Sequence, residues 1–273
     1  MIKRFHWLTD LHMDFSQEET LRQLLETLEP ASEGTALVIS GDISGRGRIA
    51  THLEWIAQFT TLPVYFVLGN HDFYHMTFER TFQSVRETCA RFPNLHHLTD
   101  LGVIALNSSW AMIGHHGWGD GRAGLGIKTT VLINDSVNIH DLRNHYKPEL
   151  WAAMNRLGDE SATQIAESLK LAVQKHKRVL IVTHVPPFPE AAWHQGKMSG
   201  EDFLPHMCNL ALGKTLREFA LAHPDQEFVV LCGHTHSSGV FQAAPNLTVY
   251  TGAAEYGAPC SQGCFEVDEV SPS

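Results

Sequence analysis

The stretch FVVLCGHTH, residues 228–236, places two histidines directly after a short apolar run and a glycine. The run is short and rich in β-branched residues, which is typical of a buried strand. Side chains two residues apart in an extended chain lie on the same side, so His234 and His236 can enter one crevice at the end of the strand. The spacing alone leaves open whether the two imidazoles bind one metal ion, two ions or none.

Apolar runs of the same kind recur along the chain and alternate with helical patterns. The runs occupy residues 4–10, 36–42, 64–70, 102–109, 178–184, 228–234 and 247–253, and the helical patterns occupy residues 16–29, 77–91, 161–176 and 213–222. This alternation predicts an α/β layered fold with much parallel strand pairing. We predict one domain over residues 1–273, interrupted near 110–150 and 185–212 by irregular segments of the kind that form functional loops.

Polar residues with metal-binding side chains follow five of the predicted strands. They are Asp10 with His12, Asp42, Asn70 with His71 and Asp72, His184, and His234 with His236. In open α/β sheets the carboxyl ends of the strands border one crevice, so we expect these side chains to meet there. Taken singly, each residue also suits a turn or a helix cap. Five strand ends together favour a metal site, because a cluster of carboxylates and imidazoles is costly without a countercharge.

The number of candidate ligands indicates how many ions the crevice holds. Two aspartates, one asparagine and four histidines are too many donors for one four-coordinate ion with an open position. They suit two divalent ions roughly 3.5–4 Å apart that share a carboxylate and a water. Because the set contains no thiolate, it favours manganese, iron, zinc or a similar ion in a reactive centre over a structural zinc site.

Composition and charge restrict the class of protein further. The 273 residues are 43% hydrophobic, which is enough to bury a sizeable core, and the formal net charge is −10. An acidic chain without a basic stripe is not expected to bind duplex nucleic acid, although bound cations still allow a small phosphorylated substrate. No leader pattern precedes the first strand, and no apolar run reaches the ~20 residues that span a bilayer. We therefore expect a cytoplasmic protein without a membrane segment, and the oligomeric state stays open.

The order of the motifs resembles that of the calcineurin-like metallophosphoesterase superfamily. Asp-x-His, Gly-Asp, Gly-Asn-His-Asp, a single His and Gly-His-x-His follow one another in the family's order between residues 10 and 236, which is most of the chain. The resemblance implies a four-layer α/β/β/α sandwich with two facing mixed sheets. It also implies hydrolysis of a phosphate ester by a hydroxide that bridges two divalent metal ions.

The resemblance further implies a role for each motif residue. The ligands form two sets on either side of Asp42, which would bridge both ions. The first set is Asp10, His12 and His236, and the second set is Asn70, His184 and His234. His71 matches the family's non-ligand histidine near the leaving-group oxygen, and Asp72 matches the acidic residue that orients it. General acid help of this kind accelerates a reaction ~10²–10⁴-fold.

Substrate binding is expected in the loops around this centre. Arg46 aligns with the phosphate-contacting arginine of the protein serine/threonine phosphatases, but Gly45 stands where that branch has an aspartate. This departure argues against a phosphoprotein phosphatase, and an exposed position is the alternative for Arg46. His116 and Arg122 are further candidates for substrate binding. Arg122 can clamp a phosphate with two hydrogen bonds, or it can pair with Asp120 on the surface.

The type of phosphate ester is only weakly indicated. A phosphodiesterase is slightly favoured over a phosphomonoesterase or nucleotide phosphatase, because both a leader pattern and the phosphoprotein-phosphatase pattern are missing. We expect a small phosphate ester, such as a nucleotide, as the substrate. The competing class is a non-catalytic metal-binding scaffold that keeps the fold to bind a partner. Such proteins commonly lose ligands or the equivalent of His71, whereas this chain keeps them all.

Overall fold

Strands and helices alternate in the computed structural model, which describes residues 1–28 and 33–267. The strands are β1 (Arg4–Leu8), β2 (Thr35–Ser40), β3 (Val64–Val67), β4 (Leu95–His97), β5 (Ile104–Ala105), β6 (Trp110–Gly114), β7 (Arg178–Val182), β8 (Trp193–His194), β9 (Lys197–Met198), β10 (Glu227–Cys232), β11 (Gly239–Ala244), β12 (Leu247–Thr251) and β13 (Ser261–Glu266). The helices are α1 (Glu18–Leu28), α2 (Ile49–Phe59), α3 (Phe78–Arg91), α4 (Leu98–Leu101), α5 (Asp135–Asn138), α6 (Lys147–Ala172), α7 (Leu204–Met207) and α8 (Leu210–Ala222).

The strands form two mixed sheets. The first has the order β13-β1-β2-β3-β4, in which β1 to β4 are parallel and β13 is antiparallel to β1. The second has the order β11-β12-β10-β7-β6-β5, with four parallel strands in the middle and antiparallel β11 and β5 at the edges. β8 and β9 form a separate hairpin. In the described part of the chain, no helix combines the length and apolar character needed to cross a membrane.

Alternating side chains of the central strands build the core between the two sheets. Val38 of β2, Leu180 of β7 and Leu231 of β10 all belong to one buried apolar cluster that joins the sheets. Every second side chain of each strand points into this core, because successive side chains of an extended chain point to opposite faces of the sheet. Burying each of these side chains contributes roughly 1.5–3 kcal/mol, so the inner core is a main source of stability.

Helices cover the outer face of each sheet. Leu37 of β2 packs in a cluster with Leu25 of α1 and Leu53 of α2. On the other side, Val230 of β10 packs with Ile165 of α6. The two sheets and their helices form four layers, which confirms the predicted α/β/β/α sandwich with two facing mixed sheets.

The structure corrects several element boundaries. The predicted helix at residues 16–29 is α1 as far as the structure describes it, because residue 29 lies outside the described residues. The predicted helix at 161–176 is the second half of α6, which begins at Lys147. The sequence analysis missed α2, whose first residue follows Arg48 without a side-chain cap, so the usual start pattern is missing.

The segment 110–150, which the sequence predicts to be irregular, contains regular structure. It begins with β6, whose first four residues are buried and which lies between β5 and β7 in the second sheet. The predicted strand at 102–109 shrinks to the two residues of the edge strand β5. An apolar run of only four residues next to glycines and histidines gives too weak a pattern to separate a strand from a loop.

Candidate metal centre

The seven predicted ligands meet where five parallel strands end. Four side chains of the first group offer one ligand atom each within 4.8 Å of one another, and three of the second group do the same. The first group is Asp10, His12, Asp42 and His236, and the second is Asp42, His184 and His234. Asp42 belongs to both groups. Asn70 joins the second group, because its Oδ1 lies 3.0 Å from His234 Nδ1 and 3.2 Å from His184 Nε2.

The distances in the first group suit a shared cation. His12 Nε2 lies 3.0 Å from His236 Nε2 and 3.7 Å from Asp42 Oδ2. His236 Nε2 lies 3.4 Å from Asp10 Oδ1. Ligand atoms about 2 Å from one tetrahedral ion are roughly 3.3 Å apart, so these separations match the edges of a coordination shell.

Backbone carbonyls orient two imidazoles of the second group. His184 Nδ1 donates to the Ser40 carbonyl at 2.9 Å, which leaves Nε2 facing the cluster. His234 Nε2 donates to the His206 carbonyl at 3.1 Å, which leaves Nδ1 facing the cluster. The two inward nitrogens lie 3.2 Å apart. Outer hydrogen bonds of this kind hold metal-binding histidines in the correct tautomer, so the donor set fits a divalent ion.

Burial and charge set the ionisation of these groups. Burial alone would raise the pKa of Asp42, but the neighbouring His184 and His71 hold it well below its usual range. Burial lowers the pKa of His12 to about 4 and that of His234 to about 3, so both rings are neutral at neutral pH. His184 behaves differently, because the Asp42 carboxylate outweighs burial and raises its pKa to about 10. Metal binding there would displace a proton.

Most of the predicted ligands have an unusual backbone conformation. The backbone angle φ is positive at five of the seven: Asp10 (49°), His12 (40°), Asp42 (51°), His234 (71°) and His236 (57°). Residues other than glycine adopt this left-handed region at a cost of about 1–3 kcal/mol each. Strain that clusters at one place indicates a functional site, because the surrounding structure has to maintain it.

Two motif glycines allow the strand ends to approach one another. A Cβ atom on Gly69 would overlap the Asp42 carboxylate, and one on Gly233 would overlap the Asp10 carboxylate and the Thr9 hydroxyl. Only glycine leaves room for these carboxylates. The glycines of Gly-Asn-His-Asp and Gly-His-x-His are therefore required by the crowding of the centre.

Comparison with known proteins agrees with this geometry. Residues 3–238 match the family described as calcineurin-like phosphoesterase. This chain belongs to that family. The match confirms the resemblance drawn from the motifs, and the family is one of metal-dependent phosphoester hydrolases. No match is found among curated proteins.

Solved structures of other metallophosphoesterases share the fold. The phosphopantetheinyl hydrolase PptH from Mycobacterium tuberculosis aligns with a TM-score of 0.61 and 13% identity, over 94% of this chain and 94% of its own. A dimetal phosphatase from Danio rerio aligns with a TM-score of 0.56 and 14% identity, over 92% of this chain and 87% of its own. At such low identity these likenesses show the fold alone.

A cavity of about 480 Å³ opens over the metal centre of this phosphoesterase. His71 borders it, with Nε2 4.0 Å from Asp42 Oδ2 and its ring stacked 4.3 Å from that of Tyr74. Tyr256 also borders it, and its ring centre lies 4.5 Å from that of His12. Tyr256 was not predicted from the sequence, because it lies in the loop between β12 and β13, which contains no recognisable motif.

Asp72, the predicted orienting residue of His71, contacts the backbone of two loops. Its carboxylate accepts hydrogen bonds from the backbone N–H groups of Gly69 (2.8 Å), Ser44 (2.7 Å) and Ile43 (3.3 Å). In the described residues, no hydrogen bond joins Asp72 to the His71 ring. Burial and the nearby Asp42 charge raise the pKa of Asp72 to about 8, although the backbone N–H donors act in the opposite direction. Asp72 thus ties the loop after β2 to the loop after β3.

The three predicted substrate-binding residues do not line the cavity. Arg122 pairs with Asp120 as in the alternative prediction (3.0 Å), although Asp120 is buried, and it also pairs with the exposed Asp159 (2.8 Å). His116 is buried, and it borders a separate groove of about 800 Å³. Arg46 is exposed, and its guanidinium lies 5.5 Å from the centre of the Phe15 ring. These positions depend on contacts with distant segments, which no local pattern predicts.

Replacing Asp72 tests its position as a loop anchor. At a pH above 8, where the Asp72 carboxyl is ionised, Asp72→Asn would turn an amide NH₂ towards backbone N–H groups, so we expect it to lose about 1–3 kcal/mol of unfolding free energy. Urea unfolding with a chelator present measures this loss. Asp141→Asn is the matched control, because Asp141 accepts one backbone N–H, from Phe78, at the surface. Unchanged stability together with a shifted pH profile of turnover would instead support orientation of His71.

Proposed function

We propose that this chain is a dinuclear metal-dependent hydrolase of phosphate esters. The observation that carries the proposal is the pair of ligand groups that share the buried carboxylate of Asp42. In the proposal Asp10, His12 and His236 hold the first ion, and Asn70, His184 and His234 hold the second. Manganese, iron and zinc all suit this mixture of oxygen and nitrogen ligands.

The chain's own residues provide the remaining parts of the reaction. Two bound divalent ions would supply a water of lowered pKa and would withdraw charge from the phosphoryl oxygens. His71 borders the cavity beside Asp42, where its ring would donate a proton to the leaving-group oxygen. The stacked ring of Tyr74 holds the His71 ring in that position. Hydrolysis in this arrangement requires no covalent enzyme intermediate.

A small phosphodiester is the substrate class that we favour over a monoester. The loop at residues 41–47 has Gly45 in place of an acidic residue, and the exposed Arg46 does not line the cavity. Both features depart from the phosphoprotein phosphatases. A phosphomonoesterase or nucleotide phosphatase is the alternative, and it uses the same centre.

Two chromogenic substrates distinguish these possibilities. With Mn²⁺ added, we expect a higher kcat/KM for bis-p-nitrophenyl phosphate than for p-nitrophenyl phosphate. A chelator should abolish both activities, and Mn²⁺ should restore them, because the ions supply the nucleophile. A large preference for the monoester would reverse the order of the two substrate classes. No turnover of either ester by the protein with both ions bound would support a non-catalytic scaffold.

Separate substitutions of the two motif histidines test the assignment of ligands. His236→Ala should deplete the first ion and His234→Ala the second, because each imidazole faces a different group. Elemental analysis and Mn²⁺ titration give the number of ions that each variant retains. We expect each single variant to keep one ion and the double variant to keep none. If both single variants lost the same ion, the assignment of His234 and His236 to different ions would be wrong.

Replacing His71 separates catalysis from metal binding. His71→Ala should keep both ions and lower kcat by about 10²–10⁴-fold, since it removes only the proton donor. Metal content and steady-state kinetics on the same preparation provide the two measurements. The loss should shrink for an ester with a better leaving group, which needs less help from a proton. An unchanged kcat with intact metal content would remove His71 from the mechanism.

A further inference from the structure

Asp135 is a buried carboxylate in the segment 110–150, outside all of the family motifs. It begins the short helix α5 and is 7% exposed. Its Oδ1 accepts a hydrogen bond of 2.8 Å from the side-chain amide of Asn70 and another of 2.8 Å from the hydroxyl of Tyr74. One oxygen atom thus contacts a proposed metal ligand and the residue that stacks on His71.

The bond to Asp135 determines which end of the Asn70 amide faces the centre. Asn70 Nδ2 points to Asp135, so Oδ1 is turned towards His184 Nε2 and His234 Nδ1. An amide carries a donor end and an acceptor end of nearly equal shape, and only the oxygen can bind a cation. Without an acceptor at Asp135, the amide is free to rotate and present its NH₂ group to the ion.

The surroundings of Asp135 show that packing alone does not require a carboxylate there. A small cavity beside it is lined mainly by apolar side chains, such as Leu142, Leu150 and Met154, together with the polar side chains of Ser136, His206 and His234. Burying a carboxyl group among apolar side chains is costly unless hydrogen bonds compensate for the lost water. An apolar residue such as leucine would suit this position better if it served only the core. A carboxylate suits this position because it accepts the hydrogen bonds of Asn70 and Tyr74.

We propose that Asp135 is a positioning residue for the second metal ion and acts by fixing the orientation of the Asn70 amide. The inference rests on the proposed function, because it assumes that Asn70 is a ligand. Through Asp135, the segment 110–150 would then contribute a hydrogen-bond acceptor to the metal centre. Removing a hydrogen-bond partner of a metal ligand typically weakens metal binding about 10–100-fold.

Variants that retain one ion allow the effect on each site to be measured separately. In a His236→Ala protein, which keeps the second site, Asp135→Leu should weaken Mn²⁺ binding about 10–100-fold in calorimetric titration. Asp135→Asn should stay within a few-fold of its parent, because one amide oxygen can still accept both hydrogen bonds. Asp135→Ala repeats the test with a smaller side chain in case leucine is not tolerated.

Two controls show whether any loss is specific to the second site. In a His234→Ala protein, which keeps the first site, Asp135→Leu should leave Mn²⁺ affinity unchanged, which also shows that the variant is folded. Tyr74→Phe removes the other hydrogen bond to Asp135 but keeps that of Asn70, so we expect it to retain second-site affinity.

Several results would overturn the inference. They are an unchanged second-site affinity in Asp135→Leu, an equal loss in Asp135→Asn or Tyr74→Phe, and an equal loss at both sites. Failure of the proposed function looks different, because the unmodified protein would then bind fewer than two Mn²⁺ ions or would hydrolyse neither ester with both ions bound. If it binds two and Asp135→Leu has no effect at the second site, only the inference about Asp135 fails.

Discussion

Two buried carboxylates surrounded by imidazoles are the constraint on which the rest of the structure depends. Asp10 and Asp42 are each 1% exposed, and removing two negative charges from water is costly without positive charge nearby. In the proposed centre, divalent cations between the carboxylates and the imidazoles would supply that charge. The left-handed backbone at Asp10 and Asp42, and the missing Cβ atoms at Gly69 and Gly233, are what allow the strand ends to converge so closely.

The two sheets share the ligands of the centre, so their packing fixes its geometry. The first sheet supplies the ligands up to Asn70, and the second supplies His184 and the two histidines after β10. Each ligand group draws on both sheets through Asp42 and a histidine of the second sheet. The apolar core between the sheets therefore sets distances at the site, since close-packed interiors transmit small displacements. Ions bound by both groups would in turn link the two sheets at this edge.

The sequence alone predicted the strand ends and the ligand types because both are local features. A strand that ends in Gly-Asp or Gly-His-x-His needs no distant partner to be recognised. The roles of Asp72 and Arg122 depend on which loops lie beside them, and the structure shows backbone N–H groups and two carboxylates there. Asp135 and Tyr256 lie outside every motif. Helix α2 was missed because its start lacks a capping side chain.

The two proposed ion sites differ in charge, and this would make the second depend more on the orientation of its ligands. The first ligand group contains the carboxylates of both Asp10 and Asp42, whereas the second contains only that of Asp42. With one negative charge fewer, a second ion would be held mainly by neutral donors, whose dipoles must point correctly to contribute. His184 and His234 are oriented by backbone carbonyls, and Asn70 is oriented by Asp135. A carboxylate in place of Asn70 would restore the charge, but it would lie within hydrogen-bonding distance of the Asp135 carboxylate and repel it. A neutral amide oriented by Asp135 gives the second group an oxygen ligand without placing two carboxylates in contact.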